Sequence, residues 1–379
     1  MPNWMETERL DMTPQVHVAG FKFRELIRPG DVLFDPHVGN WVEADGSIPI
    51  CDVGGQPRLT EFDPDLGHGA LWWLRPDGRL DLAVPWGHTQ LGMPMFPRLA
   101  PKSFGRWANH ALILSQVQPG RRGAHLDHVI HIWDRHSDQL VLFATLPRNE
   151  SKIGNGIPAA LIPGGFGHDG TPHEGYYYFT ALRNNTIYRV NGKGEATSVA
   201  IMDGQHGPLL LPRALCFGSE DCFPEHPGKL IVGGVPDAKF MIGENNEGRT
   251  VGQECTFHLV EDGKVESEPF ARGNRMLAFP VRARGNFGPL SGLRLFTNHG
   301  SINHSQSMYD HQALPHDAEI LYEDQHGKVC PLITGLRSGR NDFIFDGSRL
   351  VITHWGKSYS TGEFHHPDGA IWEITYEGA

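Results

Sequence analysis

Short apolar segments recur along the chain at a spacing of roughly 60 residues. Each contains a short run of mainly hydrophobic and small residues, which is typical of a buried strand. There are six of them, at residues 47–52, 111–116, 176–181, 229–234, 293–298 and 349–354. A second strand-like segment follows each after a loop, at residues 70–74, 129–133, 186–190, 256–260, 319–322 and 370–374. Strand pairs repeated in this way predict an all-β fold, a six-bladed β-propeller.

The repeat runs through nearly the whole chain, so we expect a single domain with long inserted loops on one face. Residues 1–20 are predicted to form an N-terminal arm or a ring-closing strand, and residues 21–379 the propeller itself. Blade 1 is expected to begin near residue 21. A proline near the start of four blades indicates an innermost strand, because the first position of a strand needs no N–H donor. These prolines are Pro97, Pro158, Pro212 and Pro280.

Charge and composition exclude some classes of binding partner. The net charge is -11 with only 33 Lys and Arg, and no basic run occurs, which argues against nucleic acid or an anionic membrane. No apolar stretch approaches the length of a membrane span. The five cysteines are scattered, which indicates reduced thiols in a cytoplasmic protein. A small-molecule substrate is therefore the expected partner, and the oligomeric state stays open.

The last residues of the six second strands should ring one mouth of the central channel. They are Asp52, Gln116, Ala181, Gly234, Asn298 and His354. Because blade 6 neighbours blade 1, the polar members Asn298, His354, Asp52 and Gln116 are predicted to form one arc, with small residues opposite. Such an arc can hold a divalent metal ion (Ca, Mn, Zn or Fe) that polarises a carbonyl or a water. The alternative is that these groups only solvate a water-filled channel.

Histidine is abundant, at 22 residues, and four histidines fall in the loop of blade 5. Imidazole is a common metal ligand and the usual general base near neutral pH. His299 or His316, with Asp317 beside the latter, are the candidates for acid–base catalysis together with His354. Their spacing matches no standard zinc motif, so surface or structural roles remain the alternative for each.

Arginines lie at or near the start of four innermost strands: Arg98, Arg213, Arg282 and Arg340. A buried arginine needs an anionic partner. If two of them point into the channel, they would bind a carboxylate by bidentate hydrogen bonds. Pairing with Asp or Glu across blades is the alternative. Trp355, next to His354, is a candidate for stacking on a ring-shaped substrate.

The final blade carries a resemblance to a known superfamily. Residues 341–356 and 369–374, with a similar segment at 293–300, resemble the six-bladed propellers that include gluconolactonases, regucalcin-like proteins and strictosidine synthases. The gluconolactonase-type members imply one divalent cation in the channel, held by Glu, Asn and Asp. Asn298 and Asn341 could stand for the Asn, whereas His354 lies where a small polar residue is usual and no early Glu matches.

The sequence thus predicts a metal-dependent enzyme acting on a small anionic or cyclic organic substrate at the channel mouth. Lactone or ester hydrolysis is the first choice. A lyase or isomerase that uses His and Arg next to a carboxylate needs the same parts. A binding propeller without chemistry is the alternative from another class.

Overall fold

Six antiparallel sheets form a ring in the computed structural model, so the prediction of a six-bladed β-propeller is confirmed. The structure describes residues 14–28, 31–34, 36–52, 69–85, 91, 94–115, 129–146, 161–181, 186–201, 211–235, 254–274, 280–298, 318–336, 341–354 and 369–378.

Blades 1 to 3 each contain four strands that follow one another in space as in sequence. We name them the inner, second, third and outer strand. In blade 1 they are Pro36–Val38, Ile48–Asp52, Ala70–Leu74 and Leu80–Val84. In blade 2 they are Pro94–Leu99, Ala111–Ser115, Val129–Asp134 and Gln139–Thr145. In blade 3 they are Leu161–Phe166, Tyr176–Ala181, Thr186–Asn191 and Ala196–Ile201.

Blades 4 to 6 vary at the outer edge. Blade 4 has Leu211–Phe217, Leu230–Val235 and Glu254–Glu261, and the third strand pairs with both Lys264–Val265 and Ala271–Asn274. Blade 5 has Val281–Arg282, Arg294–Asn298, Ala318–Glu323 and Val329–Leu336, with Gln15–Val16 added outside. Blade 6 has Asn341–Asp346, Arg349–His354 and Ala370–Tyr376, and its outer strand is Phe21–Ile27. The described helices are 3-10 turns, Lys102–Trp107 and Gly288–Leu290, and neither could cross a membrane.

The strand that closes the ring therefore comes from the N-terminal part of the chain. Its residue Phe23 pairs with Ile374, and it lies just after the range 1–20 to which the sequence assigned a closing strand. Blade 1 correspondingly begins at Pro36 and not near residue 21. The physical reason is that Phe21–Ile27 alternates between buried and exposed positions like any outer strand, so its pattern does not reveal its blade.

The core lies between the blades. Five hydrophobic clusters each combine residues from two neighbouring blades. In one of them, the indole rings of Trp73 in blade 1 and Trp133 in blade 2 lie 4.9 Å apart. Blades 4 and 5 are joined by an ion pair in which Nε of Arg284 donates to Oδ1 of Asp221 over 2.9 Å. The alternating side chains of each strand thus face one neighbouring blade or the other.

Candidate functional site

One end of the propeller is much more polar inside than the other. Second strands end there, and inner and third strands begin there. Of the fourteen buried polar or charged side chains among the described residues, ten lie within three residues of that end of their strand. They are His37, Asp52, Ser115, His131, Thr180, Thr186, Thr256, Thr297, Thr353 and His354. Burying a polar side chain is costly unless it finds a partner, so this grouping marks the polar end as the candidate site.

Asp52 is fully buried at the end of the second strand of blade 1. It follows Ile48 and Ile50, which pack against blade 6, and alternation places its carboxylate in the same interface. There Oδ1 accepts a hydrogen bond from the backbone N–H of Phe34 over 3.1 Å. One role of this carboxylate is therefore to hold the segment that leads into blade 1.

His354 is equally buried at the corresponding position of blade 6. It faces blade 5 and therefore points away from blade 1, which carries Asp52. It follows Leu350 and Ile352, which pack against blade 5. Its ring meets the ring of Trp372 edge-on, with 5.1 Å between the centroids. The sheet of blade 6 therefore separates His354 from Asp52.

This placement bears on the predicted metal arc. A divalent cation of the gluconolactonase type would need several converging ligands, but Asp52 and His354 face different interfaces. In the part of the chain that the structure describes, no group of three His, Cys, Asp or Glu side chains could hold a metal ion. Asp52 and His354 thus do not fit a shared ion.

Blade 2 fills the equivalent position with Ser115 and not with Gln116. Its second strand ends at Ser115, which pairs with Val129 just as Asp52 pairs with Ala70. Ser115 and His131 face blade 1, and the Ser115 hydroxyl lies 3.2 Å from Nδ1 of His131. Sequence reasoning missed this buried pair, although counting strand register from the third strand would have found it.

Arg98 lies on the inner strand of blade 2 and is half-buried. Its guanidinium donates to the backbone carbonyls of Pro97, over 3.1 Å, and Val38 of blade 1, over 3.5 Å. Burial raises the pKa of the Cys51 thiol well above its usual range, and the charge of Arg98 opposes that rise. The same charge opposes the burial that raises the pKa of Tyr177 in blade 3. Arg98 therefore acts on both neighbouring blades, as a residue on the channel wall would.

Arg282 occupies the inner strand of blade 5, which lies across a six-bladed ring from blade 2. The side chain is half-buried. Its Nε is shielded from solvent and has no hydrogen-bond partner among the described residues. A guanidinium donor in that state is suited to an anionic ligand, since an unsatisfied buried donor is costly.

A second buried histidine, after His131, was not predicted from the sequence. His37, on the inner strand of blade 1, is fully buried, and its ring centroid lies 4.3 Å from that of Phe96. Phe96 has a positive φ of 49°, which is rare for a bulky residue and marks local strain. A lone histidine within an apolar strand gives no signal in the sequence.

The remaining candidates cannot be positioned by side chain. Arg213 and Asn298 lie in the inner strand of blade 4 and the second strand of blade 5, where only the backbone is described. Six more candidates lie outside the described residues: Gln116, His299, His316, Asp317, Arg340 and Trp355. The loop histidines therefore stay predictions.

Comparison with known proteins supports the fold and assigns no function. No protein-family model matches the chain, and no curated protein matches it. Among solved structures, an alpha-L-arabinanase from Penicillium chrysogenum has a TM-score of 0.54 at 10% identity, covering 97% of this chain and 99% of that one. A gluconolactonase from Xanthomonas campestris has a TM-score of 0.50 at 13% identity, covering 96% and 94%. The chain is thus similar in fold to these two proteins, and at these identities the likeness shows the fold alone.

Proposed function

We propose that this protein is an enzyme that acts on a small anionic organic substrate at the polar end of the channel, with lactone or ester hydrolysis as the first choice. The observation that carries the proposal is the concentration of buried polar side chains at that end, together with Arg98 and Arg282 on the inner strands of opposite blades. A purely structural propeller has no need to place polar groups there.

Arg98 and Arg282 favour a substrate that carries a carboxylate. A guanidinium presents five donors in a planar fork that matches a carboxylate. Arg282 contributes the Nε that no described residue accepts from, and Arg98 brings a second positive charge from the blade across the channel. An organic acid, or a lactone that carries a carboxylate, fits this pair.

For hydrolysis, a general base must remove a proton from the attacking water, and a donor must stabilise the oxyanion of the intermediate. His299 and His316 are the proposed bases, since their loop joins the second and third strands of blade 5 at the polar end. His354 stays a proposed catalytic residue on the basis of its place at that end. A lyase reaction would use the same base to remove a proton next to the bound carboxylate.

The test compares substrates as well as variants. Purified protein would be offered lactones and esters with and without a carboxylate, and the products identified by mass spectrometry. Hydrolysis adds the mass of one water, whereas a lyase gives a product with a new double bond. Arg282→Met and Arg98→Met should each lower kcat/KM about 10- to 100-fold for the carboxylate substrates, the range of a lost charge-assisted hydrogen bond, and should affect neutral substrates much less.

Arg294→Met is the matched control. Arg294 is also partly buried in blade 5, but it lies on the second strand, not the inner one, and pairs with Glu323 of the third strand. An equal loss on neutral and anionic substrates would refute the assigned roles of the arginines. If no lactone or ester is turned over, the alternative hypothesis of a binding propeller without catalytic activity is favoured.

A further inference from the structure

Two cysteines meet at the end of the propeller opposite the polar end. Cys216 lies near the end of the inner strand of blade 4, and Cys222 lies in the connection to the second strand. Their Sγ atoms are 3.0 Å apart, and both are free thiols. Cys222 is buried with Phe223, Ile231 and Phe257, and Cys216 packs against the same cluster.

The backbone holds Cys222 in this position. A tight turn links it to Ser219, whose N–H donates to the Cys222 carbonyl over 2.7 Å, while the Cys222 N–H donates to the Ser219 hydroxyl over 3.2 Å. The next residue, Phe223, has a positive φ of 51°, a conformation that a bulky side chain adopts only when its surroundings impose it. The thiol–thiol contact is therefore built into the fold of the connection.

We propose that Cys216 and Cys222 are a site of intramolecular disulfide formation. A disulfide has an S–S distance of about 2.05 Å, so the two sulfur atoms need to approach by only about 1 Å. With glutathione disulfide as the oxidant, one cysteine thiolate attacks it and releases one glutathione. The second cysteine then displaces the other glutathione from the mixed disulfide. The protein loses two hydrogens and two glutathione thiols form, so atoms and electrons balance.

The location gives this bond a structural effect. Asp221, next to Cys222, forms the ion pair with Arg284 that joins blade 4 to blade 5. A covalent link between Cys216 and Cys222 fixes the turn that carries Asp221 to the inner strand of its own blade. Oxidation is therefore expected to stiffen the contact between blades 4 and 5.

Formation of the Cys216–Cys222 disulfide should be slow near neutral pH and faster at alkaline pH. Burial and the neighbouring Cys222 thiol raise the pKa of Cys216 well above its usual range, and only the thiolate attacks a disulfide. In a reducing thiol pool the pair stays a dithiol.

Peptide mapping tests the proposal on the full chain. After incubation with glutathione disulfide and quenching by a thiol-blocking reagent, trypsin releases residues 214–229, which contain Cys216 and Cys222 and no other cysteine. The expected product is this peptide without the blocking group and two hydrogens lighter than the reduced form. A peptide that stays blocked, or that retains glutathione on one cysteine, would overturn the proposal.

A stability measurement provides an independent readout. Closing so short a loop should raise the apparent Tm by about 3 °C, reversibly with dithiothreitol. Cys222→Ser should lose this shift, whereas Cys330→Ser, at a half-exposed thiol in blade 5, should keep it. A shift that survives in Cys222→Ser would show that another thiol is responsible.

Discussion

The junction between blades 6 and 1 depends on one buried ion pair. Arg349 and Glu373 are only 9% and 6% exposed, and Nη1 of Arg349 donates to Oε2 of Glu373 over 3.0 Å. The same guanidinium reaches blade 1 through the carbonyls of Pro76, at 3.4 Å, and Gly46, at 3.3 Å. Replacing either partner should therefore weaken the propeller at this junction.

The magnitude follows from burial. Removing one member of a buried pair costs about 3–5 kcal/mol when the other charge loses its only partner. Here Arg349 keeps Asp346 when Glu373 is replaced, and Glu373 keeps Arg24 when Arg349 is replaced, so we expect a smaller cost of about 2–3 kcal/mol. We expect this loss in the free energy of unfolding for Arg349→Met and for Glu373→Leu. The double variant removes both members of the pair, so its loss should fall at least about 1 kcal/mol below the sum of the two single losses.

Glu373 also provides the control. Its Oε1 accepts from Nη2 of Arg24 on the closing strand over 3.0 Å, but Arg24 is 56% exposed. A solvent-exposed partner of the same carboxylate contributes less than about 1 kcal/mol, so Arg24→Met should change stability little. The comparison holds the carboxylate constant and replaces a buried partner, which also contacts blade 1 and Asp346, or an exposed one.

Urea unfolding followed by tryptophan fluorescence measures all four variants against the unmodified protein. Losses that add in the double variant would refute the argument, because they would mean that Arg349 and Glu373 act independently. A loss in Arg24→Met as large as that in Arg349→Met would refute the role given to burial.

Two further predictions concern metal and pH. Elemental analysis of Asp52→Asn and His354→Gln should not find a divalent ion lost from both, because the two side chains face different interfaces; loss from both would restore the arc predicted from the sequence. Burial, followed by the charges nearby, lowers the pKa of His173, whose Nδ1 lies 2.8 Å from the Tyr178 hydroxyl. The unfolded chain then binds the proton more readily, so stability falls as pH drops through about 6.5 towards the folded pKa. The fall in Tm between about pH 7.5 and 5.5 should be smaller in His173→Phe and unchanged in the exposed control His136→Phe; an unchanged fall in His173→Phe would contradict this.

The strands of the propeller were predictable because their signal is local. The second strands at Tyr176–Ala181 and Arg349–His354 lie where their apolar runs placed them. In blade 2 the prediction gave the position equivalent to Asp52 to Gln116, whereas strand pairing gives it to Ser115, which is opposite Val129. The closing strand was misplaced because its partner is at the far end of the chain.

The candidate site was predictable only in part. Arg98 lies on an inner strand as expected, although that strand begins at Pro94 and Pro97 is its fourth residue, not its first. The polar ends of the second strands followed from the repeat. Asp52 and His354 do not converge as predicted, because alternation sends equivalent residues of successive blades into successive interfaces and not into the channel. His131 and His37 were missed because a single histidine in an apolar strand looks like part of the core.

The outer strand of blade 6 has a consequence for how the molecule assembles. Phe23 pairs with Ile374, so the earliest strand of that blade to be synthesised must wait for the last. Contacts that span nearly the whole chain are slow to form, because the loop between them must close first. Five blades can therefore gain their own strands during synthesis, while the sixth is completed only when the two ends meet. The same pairing opposes unfolding. Neither Phe21–Ile27 nor Ala370–Tyr376 can detach without breaking the hydrogen bonds that join the two strands in the sheet of blade 6.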